Sequence, residues 1–336
     1  MLRLFTPVRL VVAGLLVAAA AVVVWLFPTN SYIFLPNDAH PVAPLVKVEG
    51  GRDPADGGGI YFVDVLVRKA TVIERIWTGS REGATVVPAS DVRPPGVSEA
   101  ERRREELAEM RRSQDVAAAV ALRELGYKVV AEPVGARIEV VAADGPSRGK
   151  LEPGDVIVAV DRKRVTAPSE LRRAIRERGS GKRLNVRVRR GAKIVNVEVR
   201  TIRGPEGTPL VGVIVSQAAT IKLPLDVEID SGGVGGPSAG LAFALDVLEE
   251  LGRDVDHGRR IAVTGAIELD GTVGQIGGVK QKTIGVRRSH IKVFVVPAGD
   301  NAREARRYAE GIRIVPVGTF QQALRVLATL RRTAQN

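Results

Sequence analysis

Ser238 stands in SGGVGGPSAG (residues 231–240), a stretch with five glycines in ten residues. The apolar run LAFALDVLEEL follows at once, with Leu241, Leu245 and Leu248 on one helical face and Gly252 to end it. Ser238 is therefore expected where a glycine-rich loop meets a helix N-terminus. Free backbone N–H groups and the helix dipole favour negative charge there. Such a junction can hold the oxyanion of an acyl-transfer intermediate, and the glycines let a substrate backbone come close. The same pattern also describes phosphate loops, but G-x-x-x-x-G-K-[ST] occurs nowhere in the chain. G-x-S-x-G does not fit either, because Pro237 precedes the serine and Ala239 follows it.

A serine nucleophile needs a base. His257 falls in a polar turn and His290 at a helix–strand junction, so neither suits the role. Lysine is the other standard base when burial lowers its pKa. Downstream, RRIAVTGAIEL reads as a strand, and Gly277-Gly278 leads into a short helix from Val279. Lys280 and Lys282 lie on it two residues apart and point to different sides. One is then at the surface while the other turns inward beside Ile284.

The rest of the chain must position these groups. It has 336 residues, room for two or three domains, with 45% hydrophobic and only 4% aromatic residues. That composition suits α/β or α+β packing with β-branched strands. There is no cysteine, which excludes disulfides, thiolate nucleophiles and cysteine–zinc sites. His40, His257 and His290 stand far apart without metal-site spacing, so no metal is expected. Of the net charge of +12, residues 161–200 carry most, with 14 Lys/Arg against 4 Asp/Glu. Without aromatic interleaving or a nucleic-acid motif this reads as a solvated basic face, and no nucleic-acid partner is expected.

Leu10 to Phe27 is 18 residues without a charge, at the short end of a spanning helix. Arg3 and Arg9 precede it and Lys47 is the next basic residue after it. By the positive-inside rule residues 1–9 are cytoplasmic, 10–27 form a membrane anchor, and the rest lies outside the cytoplasm. Residues 28–44, with four prolines, read as a tether. VKVEG and YFVDVLVRKATVIERIW alternate and are expected to pair around a glycine-rich loop. Ser98 opens a helix with Glu101 in a capping box; its first half is charged, its Ala-rich second half is expected to be buried, and Gly126 caps it. KLPLDVEID (222–230) reads as the strand leading to the serine loop.

Two stretches resemble known families. Ala143 to Val199 is similar to bacterial PDZ domains, best seen in Leu151-Glu-Pro-Gly154-Asp155-Val-Ile, the strand that follows, and the helix opened by Ser169-Glu-Leu. Arg162-Lys163 replaces the Asn-Gly common there, which should alter only a turn. PSAG with its apolar helix, followed by VTGAIELDGTVGQIGGVKQKTIGVRRSHIKVFVVP, resembles the proteolytic domain of Lon peptidases over 229–333. That resemblance implies Ser238 as nucleophile, Lys282 as the catalytic lysine, Thr264 as the residue that helps orient it, and backbone amides at Gly236, Ser238 and Ala239 around the oxyanion. Gly235 stands where the family often has Asp, and Ala266 where a Glu often follows Thr-Gly. The departure at Gly235 loses a local polar contact but touches neither member of the serine–lysine pair.

The whole arrangement resembles the membrane-anchored PDZ-containing Lon-like peptidases. The expected fold is α+β: a Lon-type proteolytic domain with an inserted or preceding PDZ domain and one N-terminal transmembrane helix. Residues 45–127 would form the first part of the catalytic fold, 128–203 the PDZ-like domain and 204–336 the proteolytic domain. The implied function is hydrolysis of peptide bonds in protein substrates by a Ser–Lys dyad, without metal, nucleotide or other cofactor. Implied partners are protein or peptide substrates through the PDZ, the membrane and, by analogy, other copies in a ring. The alternative from a different class is a catalytically silent, membrane-anchored PDZ scaffold.

Overall fold

The computed structural model describes residues 7–52, 58–77, 81–92, 99–142, 144–204, 207–232 and 234–330. The first part runs α1 (Pro7–Leu26), β1 (Pro28–Pro41), β2 (Val46–Val48), β3 (Gly59–Thr71), α2 (Val72–Ile76), β4 (Thr85–Pro88), α3 (Ala89–Val92) and α4 (Glu99–Glu124). The middle part holds β5 (Val130–Val141), β6 (Val156–Val160), β7 (Lys163–Arg164), α5 (Pro168–Arg178), β8 (Arg183–Arg190), β9 (Lys193–Arg200), β10 (Ile202–Arg203) and β11 (Pro209–Leu210). The last part follows with β12 (Val213–Lys222), β13 (Val227–Ile229), α6 (Gly240–Glu250), β14 (Arg260–Val263), β15 (Ala266–Ile267) and β16 (Val273–Gly274). It ends with α7 (Val279–Arg288), β17 (Val293–Pro297), α8 (Asp300–Arg307), β18 (Arg313–Val317) and α9 (Phe320–Thr329).

The principal sheet has the order β18-β17-β14-β3-β1-β4 and so joins the two ends of the described chain. β3, β14, β17 and β18 are parallel; β1 runs antiparallel to β3, and β4 to β1. Its core joins Phe62 of β3, Phe243 of α6, Val263 of β14 and Val295 of β17. Nearly every residue of α6 is buried, well beyond the single leucine face expected from sequence. That helix lies against both α4 and β3, so it is covered all round.

The middle part encloses its own core of Ile138, Leu151, Ile157, Leu171, Leu184 and Val188. Its sheet runs β12-β5-β6-β8-β9, with β7 paired to β6 and α5 packed alongside. Asp155, from the Glu-Pro-Gly-Asp turn, is buried and held by Arg190 Nε and Nη2 at 2.7 Å each. Asp161 and Arg162 take φ of 46° and 67°, the left-handed turn that Asn-Gly usually supplies.

Several expectations from sequence need correction. Residues 28–44 are no tether: 28–41 form β1, paired on both sides. The prolines fit because Pro28 and Pro41 end the strand and Pro36 borders a register shift. β2 does not pair with β3 but with β13. The alternation after Thr71 does not continue the strand, since Val72–Ile76 is helical. Thr71 and Glu74 form a capping box there, and Arg68 beside Glu74 holds its carboxyl down to about 2. KLPLDVEID is divided between the end of β12 and β13.

The capping box expected at Ser98 and Glu101 lies outside the described residues. The C-terminal stop of α4 is clear, with Gly126 at φ 85° and Tyr127 N–H bonded to Leu122 O. Residues 116–122 of that helix are buried as expected. Among the described residues no helix is long and apolar enough to cross a membrane. The anchor expected over 10–27 falls on α1, where the side chains of residues 10, 13, 21, 24 and 26 lie outside those described.

Candidate active site

Three elements converge on Ser238. β13, anchored on β2 and by Asp230 N–H to Leu45 O at 2.8 Å, leads into the glycine loop. The loop closes in a single 3-10 turn, Pro237–Ala239, and only then does α6 begin at Gly240. The serine thus precedes the α-helix by a turn. Gly236, with φ 87°, makes the sharp entry that a residue with a side chain would resist. The opening N–H groups of such a turn have no partner within it. Ser238 N–H is in that position, close to its own hydroxyl, while Gly236 and Ala239 flank it.

Thr264 comes from the end of β14. Its hydroxyl donates to Ser238 O at 3.1 Å, and Gly265 N–H donates to the same carbonyl at 2.8 Å. Leu241 N–H in turn bonds Gly265 O at 3.0 Å. The end of β14 is therefore laced to both sides of the serine.

Lys282 comes from the first turns of α7. Gly278, at φ 70°, opens that helix, and a Cβ there would lie 2.7 Å from Val65 Cγ2. Gly285 lets the same helix press onto the backbone of β1 at Asn37. So held, Lys282 is only 3% exposed, and its Nζ lies 2.7 Å from Ser238 Oγ and 3.1 Å from Thr264 Oγ1. Burial pushes the amine down to about 8, while the Asp64 carboxylate opposes the shift. Lys280 turns away: its Nζ reaches Ala84 O at 3.4 Å and sits 5.8 Å from the centre of the Tyr308 ring. The two lysines left open by the helical spacing are thereby told apart by position.

Thr264 already gives its proton to Ser238 O, so its oxygen faces Lys282 as an acceptor. A neutral lysine that donates one N–H to Thr264 has its lone pair free for the serine hydroxyl. The pair opens into a cleft of ≈ 530 Å³ lined by Asp64, Val65, Leu66, Gly235, Gly277 and Gly278, among others. β14 pairs with β3 only over Gly59–Phe62, so Asp64–Val67 present a strand edge to this cleft.

Asp64 escaped the sequence reading, where it was one polar position in an alternating strand. Asn37 Nδ2 donates to its Oδ1 at 2.9 Å, and His40 Nε2 lies 3.7 Å from the same oxygen. Neither the spacing nor a motif marks these residues; only the β1–β3 register joins them. His257 and His290 line no part of the cleft. Among the described residues, Glu249, Asp254 and Asp256 bring one carboxylate oxygen each within 4.8 Å of one another, the sole acidic grouping with metal-like spacing. Glu249 Oε1 there already accepts the N–H groups of Val255 and Asp256 at 2.7 and 2.8 Å.

Residues 217–329 match the family model of the Lon protease (S16) C-terminal proteolytic domain, and residues 120–201 match the PDZ domain model. The Lon protease of Mesomycoplasma hyopneumoniae is 29% identical over 160 residues, 39% of this chain and 18% of that protein. Lon protease 2 of Bacillus subtilis is 34% identical over 104 residues, 31% of this chain and 18% of that protein. The PDZ domain of an SdrC-like protein from Listeria monocytogenes is 22% identical, with a TM-score of 0.24, and covers 24% of this chain and 87% of that one. The chain spans less than a fifth of the length of these two curated relatives. Its last third is therefore a proteolytic domain of the Lon family of serine-type peptidases, preceded in the same chain by a PDZ domain.

Proposed function

We propose that this chain hydrolyses peptide bonds with Ser238 as nucleophile and Lys282 as general base. The observation that carries the reading is the 2.7 Å approach of Lys282 Nζ to Ser238 Oγ at a buried site. Neutral Lys282 takes the hydroxyl proton as Ser238 Oγ attacks the scissile carbonyl carbon. Backbone N–H groups at Gly236, Ser238 and Ala239 surround the oxyanion that forms. The lysine, now an ammonium, gives its proton to the leaving amine and the acyl-enzyme remains. A water molecule then attacks the ester, with Lys282 again accepting the proton and returning it to Ser238 Oγ as the ester C–O bond breaks and the acid product leaves. Thr264 orients the amine without adding charge. The substrate lies extended along the open edge of β3 at Asp64–Val67, where main-chain hydrogen bonds are available to any sequence.

The PDZ domain recruits protein or peptide substrates to this cleft, and copies of the chain assemble into a ring, by analogy with Lon-type domains. α1 anchors the protein, with the N-terminus in the cytoplasm and the proteolytic domain outside it. What supports the anchor is the uncharged run Leu10–Phe27, with Arg3 and Arg9 before it and exposed apolar side chains such as Leu15, Leu16, Val22 and Trp25. A C-terminal reporter active only outside the cytoplasm would support that topology, and a cytoplasmic signal would overturn it. The peptidase reading is tested by cleavage of an unfolded protein by wild type and by Ser238→Ala. Equal activity in the two would leave the silent scaffold as the better account.

A further inference from the structure

The PDZ domain grips the catalytic part at two places, and each belongs to an element that hydrogen-bonds the nucleophile turn: the β15–β16 stem through Gly265 and α4 through Ser113. At the first, the start of α5 meets the β15–β16 hairpin. Ser169 N–H donates to Glu268 Oε2 at 2.9 Å, Ser169 Oγ donates to Asp270 Oδ2 at 2.8 Å, and Arg172 pairs with Glu268. Glu268 is only 4% exposed, and its carboxylate faces the N-terminus of α5, where negative charge is favoured. The hairpin is short and tightly closed, by Glu268 N–H to Thr272 O at 3.0 Å and Gly271 N–H to Glu268 O at 2.8 Å. Its stem begins at Gly265, the residue bonded to Ser238 O and to Leu241 N–H.

At the second place, α4 lies between the domains. Arg112 Nη2 reaches both carboxylate oxygens of Glu139 on β5 at 2.9 Å, and Ser216 of β12 donates to the same group. The next residue, buried Ser113, donates to Pro237 O at 3.2 Å. A Cβ on Gly240 would come within 2.7 Å of Ser113 Oγ, so α4 and the start of α6 have no slack between them. A small cavity of ≈ 40 Å³ lies between the two grips, lined by Arg112, Ser113, Arg172, Gln217, Pro237 and Glu268, among others. Pro237 also lines the catalytic cleft, so the nucleophile turn is the wall between the two spaces.

Resting on the peptidase reading, we propose that the PDZ domain positions the nucleophile turn through Arg172–Glu268 and Arg112–Glu139, and is not merely a substrate reader. Arg172, Glu268, Arg112 and Glu139 are positioning residues: none lines the catalytic cleft. A partly buried ion pair holds one geometry, and losing one partner leaves the other charge poorly solvated. The hairpin and α4 then relax, and the 2.7 Å serine–lysine contact loses the support of both from behind.

The test uses the full chain, a peptide too short to span both the cleft and the PDZ domain, and hydrogen exchange at the Leu241 and Gly265 amides. Glu268→Gln and Glu139→Gln should each lower kcat about tenfold or more with little change in KM, as expected for misplaced reacting groups. Both amides should exchange faster. Arg187→Ala, on the exposed PDZ surface, should change neither. The charge-swapped pair Arg172→Glu with Glu268→Arg should recover part of kcat and of the protection. If Glu268→Gln fails to fold, Arg172→Lys, which keeps the charge but loses the guanidinium fork, carries that test; if Glu139→Gln fails, Arg112→Lys does. Unchanged kcat and unchanged exchange in the grip variants would overturn the proposal. If wild type and Ser238→Ala are equally inactive, the peptidase reading falls. Exchange then decides alone: faster Leu241 and Gly265 amides uphold the coupling, and unchanged ones end it.

Discussion

On the proposed mechanism Lys282 acts as base only in its neutral form, and its burial raises the share of that form. With its amine pushed down to about 8, roughly a tenth is neutral at pH 7, against about one part in three thousand for an ordinary lysine. Burial thus raises the reactive fraction about 300-fold at that pH. kcat/KM for a short peptide, measured from pH 6 to 10, should climb about tenfold per unit below pH 8 and flatten above it. Lys282→Arg should cost about 10³ in kcat, because a guanidinium stays protonated and general-base catalysis is worth about 10²–10⁴. The same burial costs stability. Below pH 8 the folded and unfolded chains both carry the proton, so the full cost of a buried ammonium is present. Between about 8 and the ordinary value of 10.5 the folded state has shed its proton and the unfolded state has not, so stability rises with pH. Lys282→Met should therefore be more stable than wild type at pH 7, by up to about 3 kcal/mol in denaturant titration. A rate profile with its midpoint near 10, or an active Lys282→Arg enzyme, would refute the reasoning.

Asp64→Asn removes a carboxylate that favours protonated Lys282, so the midpoint of the rate profile should move to lower pH; a move upward would show that Asp64 acts otherwise. Asp246, buried beside Glu250, Glu249 and Asp256, has its carboxyl pushed up to about 8. The folded state keeps that proton where the unfolded state has lost it, so stability falls as pH rises from about 4 to 8. Asp246→Asn should accordingly raise Tm at pH 8, by the equivalent of about 2–5 kcal/mol, and change it little at pH 4.5. A Cβ at Gly285 would collide with Asn37 O, so Gly285→Ala should cost about 2 kcal/mol in thermal unfolding and depress kcat, because α7 carries Lys282.

Where the chain obeys local rules, its sequence was informative. The apolar run after Ser238, the Gly126 stop and the Glu-Pro-Gly-Asp turn each gave an element in nearly its observed place, because periodicity and turn chemistry act over a few residues. The readings that failed involve partners far along the chain. Proline count made 28–44 look like a tether, but prolines at a strand's ends and beside a register shift leave its ladder intact. Val46–Val48 had the alternation of a strand, yet nothing local could say that it pairs with Val227–Ile229 and not with Gly59–Thr71. Val72–Ile76 continued an alternating pattern until a capping box at Thr71 and Glu74 turned it into a helix.

For the site, residue types and order alone determined that a serine in a glycine-rich turn precedes a Lys-x-Lys helix, and that cysteine, paired histidines and a phosphate loop play no part. The residues themselves left Lys280 and Lys282 open, and only the family resemblance chose between them. Tertiary structure decided which lysine faces the serine. Gly278 and Gly285 let α7 press onto β3 and β1, which buries Lys282 and leaves Lys280 at the rim. Tertiary structure alone also set Asp64 in the cleft and placed Glu268 and Arg112 behind the nucleophile turn. A distance of 2.7 Å between residues 44 positions apart arises from strand register and helix docking, which no local pattern encodes. The same packing strips water from the amine, and that desolvation is what shifts its charge.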